Sequence, residues 1–191
     1  MTNIFFNTDY TDYSKFKLLE NNYLNILKEI PVFDISKVTI KRNAGDWLND
    51  TADKIVDSLS NNKEWISSWD SSNTWFNFPL MYLNQTIGNA DIICPNTINL
   101  LKQLNCINVA GFSLLLPNSS LPPHTDPTGP LYNSMALNMF LYGDSSNLIV
   151  QNNKYIHEDG KLVIFNSENT HYAENNGLVN RVILYIDFST K

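Results

Sequence analysis

Apolar residues recur three and four positions apart between Ser14 and Ile30, at Phe16, Leu19, Tyr23, Ile26, Leu27 and Ile30. That spacing lines one face of a helix, and Pro31 stops it because proline cannot continue the hydrogen-bond ladder. A second helical pattern opens at Pro95, which suits a first turn, and continues through Ile98, Leu100, Leu101 and Leu104. Between the two, the chain reads as a short extended piece, Lys37–Lys41, and then a polar stretch with Gly45 and Trp47. A short helix over Ala52–Leu59 follows, and then an aromatic-rich segment of strands and loops, Glu64–Leu83.

From Ile107 onward the texture changes to short apolar runs separated by turns. Val109–Leu116, Ser134–Tyr142, Asn147–Val150, Lys161–Phe165 and Arg181–Asp187 each have the length and composition of a strand. Turn residues punctuate them at Asn118-Ser119-Ser120, Gly143-Asp144-Ser145-Ser146, Asp159-Gly160 and Asn175-Asn176-Gly177. Five or more strands after helices predict a mainly β protein, a small barrel or jelly roll covered by N-terminal helices. With no internal repeat and no linker, one domain is expected over residues 1–191, helical to about 105 and β from about 107 to 188.

Composition narrows the function. With 191 residues, 43% of them hydrophobic and 17% charged, the chain is long and apolar enough for a packed core. The net charge of −6, without any Lys/Arg-rich run, argues against nucleic acid and anionic membranes as partners. The N-terminus lacks the basic and apolar regions of a signal peptide. No stretch approaches the roughly 18 apolar residues that span a bilayer. Cys94 and Cys106 have neither a disulfide framework's number nor a zinc site's spacing, so a cytoplasmic setting is expected. With only three histidines, any metal or acid–base chemistry has few candidates.

The sharpest of these is Pro122-Pro123-His124-Thr125-Asp126-Pro127. Two residues apart on an extended backbone, His124 and Asp126 point to one face. His171 follows the strand ending at Phe165, and Arg181 opens the next strand. Two imidazoles and a carboxylate make a facial set that leaves open positions on iron(II), and a guanidinium grips a carboxylate through paired hydrogen bonds. The order His-x-Asp, His, Arg is what an iron(II)/2-oxoglutarate oxygenase requires. Blander readings stand beside it: a turn histidine capped by Asp126, a strand-edge His171 packed on Tyr172, and an Arg181 surface ion pair. His157, in what reads as a hairpin tip, is expected at the surface.

Several segments together resemble the aspartyl/asparaginyl β-hydroxylase family. They are Gly111-Phe112-Ser113-Leu114-Leu115-Leu116-Pro117, His124-Thr125-Asp126-Pro127-Thr128, Asp159-Gly160-Lys161-Leu162-Val163-Ile164-Phe165 with His171, and Arg181-Val182-Ile183-Leu184-Tyr185-Ile186-Asp187. Upstream, Leu19-Glu20-Asn21-Asn22-Tyr23, Trp75-Phe76-Asn77-Phe78-Pro79-Leu80 and Cys94-Pro95-Asn96-Thr97 extend the likeness in order over about residues 18–188. The resemblance implies a double-stranded β-helix core of jelly-roll or cupin type, with iron(II) as metal and 2-oxoglutarate and O₂ as co-substrates. It matches His124 and His171 to metal ligands and Arg181 to the co-substrate arginine, and it places Trp75 and Ser113 in the 2-oxoglutarate pocket. By their residue types alone, those two read as a core tryptophan and a strand hydroxyl.

The chain departs from the family at two places. Mammalian members have glycine at this position, whereas this chain has Asp126, a carboxylate as in most other oxygenases of the wider superfamily; it also argues against a halogenase. The arginine and histidine common on the following strand are replaced in Ser134-Met135-Ala136-Leu137-Asn138-Met139, where Asn138 is the nearest counterpart of the histidine. The expected substrate is a free amino acid or an Asp/Asn residue in a short peptide. Recruitment of a protein substrate by a preceding repeat module is not expected. The pocket rim is expected in Trp65–Tyr82 and Asp126–Tyr132.

Overall fold

A computed structural model describes residues 5–6, 8–38, 59–61, 63–67, 73–126 and 134–190. Its strands are β1 (Phe5–Phe6), β2 (Ile66–Ser67), β3 (Trp75–Tyr82), β4 (Gln85–Thr86), β5 (Ile107–Leu115), β6 (Ser119–Ser120), β7 (Ser134–Tyr142), β8 (Ser146–Val150), β9 (Asn153–Ile156), β10 (Leu162–Phe165), β11 (His171–Asn175) and β12 (Arg181–Ser189). They form a large sheet in the order β1-β10-β7-β12-β5-β3-β2, with β4 on β3, and a small sheet β6-β11-β8-β9. Every pairing is antiparallel except β1 on β10. The chain is mainly β with N-terminal helices, a jelly roll of cupin type.

The large sheet is buried on both faces, which is why its strands read as continuous apolar runs rather than as alternation. One face presents Phe78, Phe112, Leu114, Met139 and Leu184 to helices that contribute Leu19, Ile26, Ile98 and Leu101. The opposite face looks into the barrel. There Ala136, Val163 and Phe165 meet Leu148, Val150 and Tyr155 of the small sheet, and Leu115 and Trp75 meet Leu121 and Ala173. Fully burying each large apolar side chain of this kind contributes about 2 kcal/mol.

The periodic segment Ser14–Ile30 is not one helix. It divides into a 3-10 turn, Ser14–Phe16, and two short helices, Lys17–Asn21 and Tyr23–Lys28. The break falls at Asn22, whose Nδ2 donates to the Leu18 carbonyl at 2.8 Å, a local bond that competes with helix continuation. Lys37–Lys41 is not extended where described: Ile35–Lys37 is a 3-10 turn capped by Asp34, and residues 39–41 lie outside the described residues. The helix expected over Ala52–Leu59 also lies outside them except for Leu59.

The helix Pro95–Leu104 forms as its pattern predicts and ends at Asn105 in the left-handed conformation, φ 48°. Its first turn is closed by a residue far away in sequence. Glu29 Oε1 accepts from Asn96 N at 2.9 Å, and Oε2 accepts from Thr97 N and Thr97 Oγ1, both at 2.7 Å.

Strands β7, β8, β10 and β12 match their predicted runs within two residues at either end. Strands β9 and β11 carry no apolar run to announce them. β11 reads His-Tyr-Ala-Glu-Asn with alternating burial, and β9 is an exposed edge. β3 belongs to the large sheet although it lies within the first 105 residues. No helix among the described residues is long and apolar enough to cross a membrane.

Candidate metal centre

The polypeptide between β6 and Asp126 runs antiparallel beside β11. Leu121 N donates to Ala173 O at 2.9 Å, His124 N to His171 O at 3.0 Å, and His171 N to His124 O at 2.8 Å. Residues that exchange both bonds across an antiparallel pair put their side chains on the same side. This register is what brings together two histidines 47 positions apart, with ring centroids 4.3 Å from one another. Asp126, two residues on, is held by its own N–H donating to Ser167 O at 3.0 Å.

The ligand atoms of His124, Asp126 and His171 all lie within 4.8 Å of one another. Each Nδ1 is taken by a carbonyl, that of Pro122 at 2.8 Å for His124 and that of Asn169 at 3.0 Å for His171. These bonds turn Nε2 of each ring toward Asp126, whose oxygens stand 3.8 Å from His124 Nε2 and 3.7 Å from His171 Nε2. Backbone partners on Nδ1 fix the tautomer that presents Nε2 for coordination. Burial, and then the neighbouring His124, push His171 down from its ordinary value against the opposing pull of Asp126, so it favours the neutral imidazole a metal needs. Phe165 packs edge-on to His171 at 5.1 Å, and Trp75 stands 6.2 Å from His124. A donor set of two imidazoles and one carboxylate fits a first-row divalent cation and leaves coordination positions open.

Strand registers place the other expected residues on the same barrel interior. Leu115 lies opposite both Trp75 and Arg181, Ser113 opposite Ile183, and Asn138 opposite Tyr185. Paired residues share a face and alternate residues repeat it, so Trp75, Ser113, Asn138, Arg181 and Tyr185 all face inward. Trp75 Nε1 donates to Ser113 Oγ at 2.8 Å. Arg181 is 1% exposed, and its Nε has no hydrogen-bond partner among the described residues. Burial lowers its pKa to about 9, a sign of how costly an unpaired guanidinium is there. Asn138 is also buried, and its Oδ1 lacks a hydrogen-bond partner among the described residues.

Two inward residues were not anticipated. The Tyr185 hydroxyl donates to Asp126 Oδ2 at 2.9 Å, orienting the carboxylate from the large sheet. His157, expected at the surface, is buried, and its ring stacks on Phe140 with centroids 5.2 Å apart and planes 6° apart. Inward parity with Arg181 is the sequence signal that marks Tyr185. For His157 the exposed Ile156 beside it is the corresponding sign, but it needs the β8–β9 pairing to be read. Of the expected rim, residues 68–72 and 127–132 lie outside the described residues.

Comparison with known proteins bears on what this arrangement belongs to. The chain is 32% identical over 153 residues to an uncharacterised protein, L888, of Acanthamoeba polyphaga mimivirus, covering 78% of this chain and 55% of that one. It is 31% identical over 96 residues to the ornithine lipid ester-linked acyl 2-hydroxylase of Rhizobium tropici, covering 50% of this chain and 34% of the relative. The chain thus spans about half the length of the first of these curated relatives and a third of the second. Among solved structures, a predicted oxalate decarboxylase of Thermotoga maritima aligns with a TM-score of 0.43 at 12% identity, covering 83% of this chain and 99% of that one. A cupin 2 conserved barrel domain protein of Salinispora arenicola aligns with a TM-score of 0.35 at 10% identity, covering 43% and 63%. A model of the family described as aspartyl/asparaginyl beta-hydroxylase matches residues 39–191, which include the His124, Asp126 and His171 cluster and the inward-facing Arg181. The chain belongs to the aspartyl/asparaginyl β-hydroxylase family.

Proposed function

We propose that this protein is an iron(II)- and 2-oxoglutarate-dependent dioxygenase. It hydroxylates an amino acid, free or as an Asp/Asn residue of a short peptide, with succinate and CO₂ as co-products. The observation that carries this reading is Arg181, a buried guanidinium without an ion-pair partner among the described residues, in the same interior as the two-histidine, one-carboxylate cluster. A buried unpaired cation is destabilising by several kcal/mol unless an anion joins it, so the site calls for an anionic ligand. A metalloenzyme that used no 2-oxo acid would leave Arg181 without a task.

Iron(II), supplied with a 2-oxo acid and O₂, provides the oxidative decarboxylation and C–H hydroxylation that side chains cannot. The protein's own part is binding and positioning. His124, Asp126 and His171 would hold the metal through Nε2, a carboxylate oxygen and Nε2. Tyr185 holds Asp126 in place by its hydrogen bond. Arg181 receives the far carboxylate of 2-oxoglutarate. Arg181 and Tyr185 are four residues apart on one face of β12, about 13 Å at the usual rise per residue. Ser113 and Trp75 brace the pocket wall through their mutual hydrogen bond, and Asn138 offers an amide to the co-substrate.

The test is succinate formation from 2-oxoglutarate with iron(II), screened over free amino acids and Asp/Asn peptides. An acyl-amino-acid lipid is included because the Rhizobium relative is named for an ester-linked acyl chain. Coupled or uncoupled turnover, lost in Arg181→Met and in His171→Ala, is the expected result. Turnover that survives Arg181→Met would point to a metalloenzyme independent of 2-oxoglutarate. No iron binding at all would leave a barrel-shaped binding module.

A further inference from the structure

Inside the barrel, buried polar atoms remain that the metal ligands do not use. His157 Nε2 and Tyr155 Oη, like Arg181 Nε, are buried without a hydrogen-bond partner among the described residues. Tyr155 and His157 have the same parity on the strand, inward, while Ile156 between them is 66% exposed. His157 N donates to Ser146 O at 3.1 Å, and its Nδ1 lies 2.9 Å from Ser146 Oγ. The imidazole stacks on Phe140, an inward residue of β7 opposite Ile183. The Phe140 ring in turn sits beside the start of β12. A Cβ placed on Gly143 would lie 3.0 Å from Phe140 Cζ and 3.5 Å from Arg181 Cα. Thus the His157 stack and the arginine share one end of the interior, away from the His124–His171 pair.

Each orphaned buried donor costs about 1–3 kcal/mol, and a ligand with several acceptor lone pairs at the shared end relieves both Arg181 and His157. A carboxylate does this. Burial, and then the charge of Arg181, keep His157 neutral, so one ring nitrogen carries a proton to donate and the other accepts.

We propose that His157, in the tautomer with the proton on Nε2 and the Ser146 hydroxyl donating to Nδ1, is a second donor to the far carboxylate of the 2-oxo acid that Arg181 holds. In that role it selects dicarboxylic over monocarboxylic 2-oxo acids. The inference rests on the 2-oxoglutarate reading above and adds a positioning and specificity residue to it. Tyr155, whose ring lies edge-on to His157 at 5.9 Å, fixes the imidazole from the small sheet.

The experiment uses histidine-¹⁵N-labelled protein loaded with zinc(II), titrated with 2-oxoglutarate and separately with 2-oxopentanoate, which lacks the far carboxylate. Three histidines give three resolvable imidazole patterns. The His157 pattern is expected to be the neutral Nε2–H tautomer and to move with 2-oxoglutarate but not with 2-oxopentanoate. Calorimetry on variants is the second readout. His157→Phe keeps the stack on Phe140 and should raise the Kd for 2-oxoglutarate about tenfold, the weight of one charge-assisted hydrogen bond. Its Kd for 2-oxopentanoate should stay put, and His157→Gln, which keeps a donor, should bind within threefold of wild type.

A His157 pattern that does not move at saturating 2-oxoglutarate overturns the proposal, whether or not the variants fold. So does a His157→Phe protein that binds 2-oxoglutarate within twofold of wild type. If wild type binds 2-oxoglutarate and Arg181→Met does not, while His157→Phe does, only His157's role falls. If wild type binds none, the 2-oxoglutarate reading itself falls.

Discussion

Tyr185 shows how much of the site hangs on single side chains. Its hydroxyl reaches Asp126 across the barrel, and burial, with Asp126 and Asp187 beside it, holds the phenol well above its ordinary range. It therefore donates a proton at every working pH. Groups that orient a metal ligand are typically worth 10- to 100-fold in affinity. Tyr185→Phe should weaken iron(II) or cobalt(II) binding about tenfold, read by competition with a chelating dye, with little change in far-UV circular dichroism. Asp187, two residues on, gives a pH signature. Burial first, and then Asp126, raise its pKa to about 6, although Asn108 Nδ2 donates to its Oδ1 at 2.6 Å. Its unfolded value is about 3.9, so the folded state binds the extra proton between pH 4 and pH 6. Stability from this group is full below pH 4 and is lost as pH rises to about 6. Asp187→Asn should flatten that slope in urea melts of metal-free protein. At pH 7 it should be more stable than wild type by about 1 kcal/mol, discounted for partial exposure. At this scale the sequence disclosed residues whose spacing speaks by itself, His124 with Asp126. It misplaced His157, because the burial of a polar side chain next to an exposed isoleucine is decided by the neighbouring strand.

Among elements, the cap on the helix Pro95–Leu104 is the clearest case of local structure fixed from afar. Cys94, at its N-terminal boundary, makes no side-chain cap, so the free N–H groups of the first turn are met by Glu29 from the end of another helix. The carboxylate also opposes the positive end of the helix dipole. Glu29→Gln should lower stability by about 1 kcal/mol, and Glu29→Ala by about 2 kcal/mol, measured by chemical denaturation at pH 7. Gly111 has an equally specific reason to be glycine: a Cβ there would stand 2.9 Å from the Phe78 carbonyl oxygen, where β3 and β5 approach closely. Gly111→Ala should push these central strands apart and cost about 1–3 kcal/mol in the same measurement. The strands with continuous apolar runs were legible in the sequence because they are buried on both faces. The strand that carries His171 was not, since its alternation of polar and small residues pairs with a partner invisible in a linear reading.

Over the whole molecule, the two cysteines are packing residues. Burial pushes the Cys94 thiol up to about 12 and raises that of Cys106, and both side chains lie in the helix-covered core. Native protein at pH 8 should therefore react with neither equivalent of a thiol reagent within the time that denatured protein takes to react with two. A fast native equivalent would contradict the packing. The amino-acid sequence by itself determined the mainly β class, the helix opening at Pro95 and the short list from which metal ligands must come. Those follow from periodicity, from proline and from the scarcity of histidine, which are properties of a linear chain. Tertiary structure decided the rest. Only the antiparallel exchange of hydrogen bonds between His124 and His171 brings the ligands to one point, and only strand register turns Tyr185 and His157 inward with Arg181. A side chain's partners across a sheet are set by which residue of another strand it faces, and a one-residue slip would reverse every one of them.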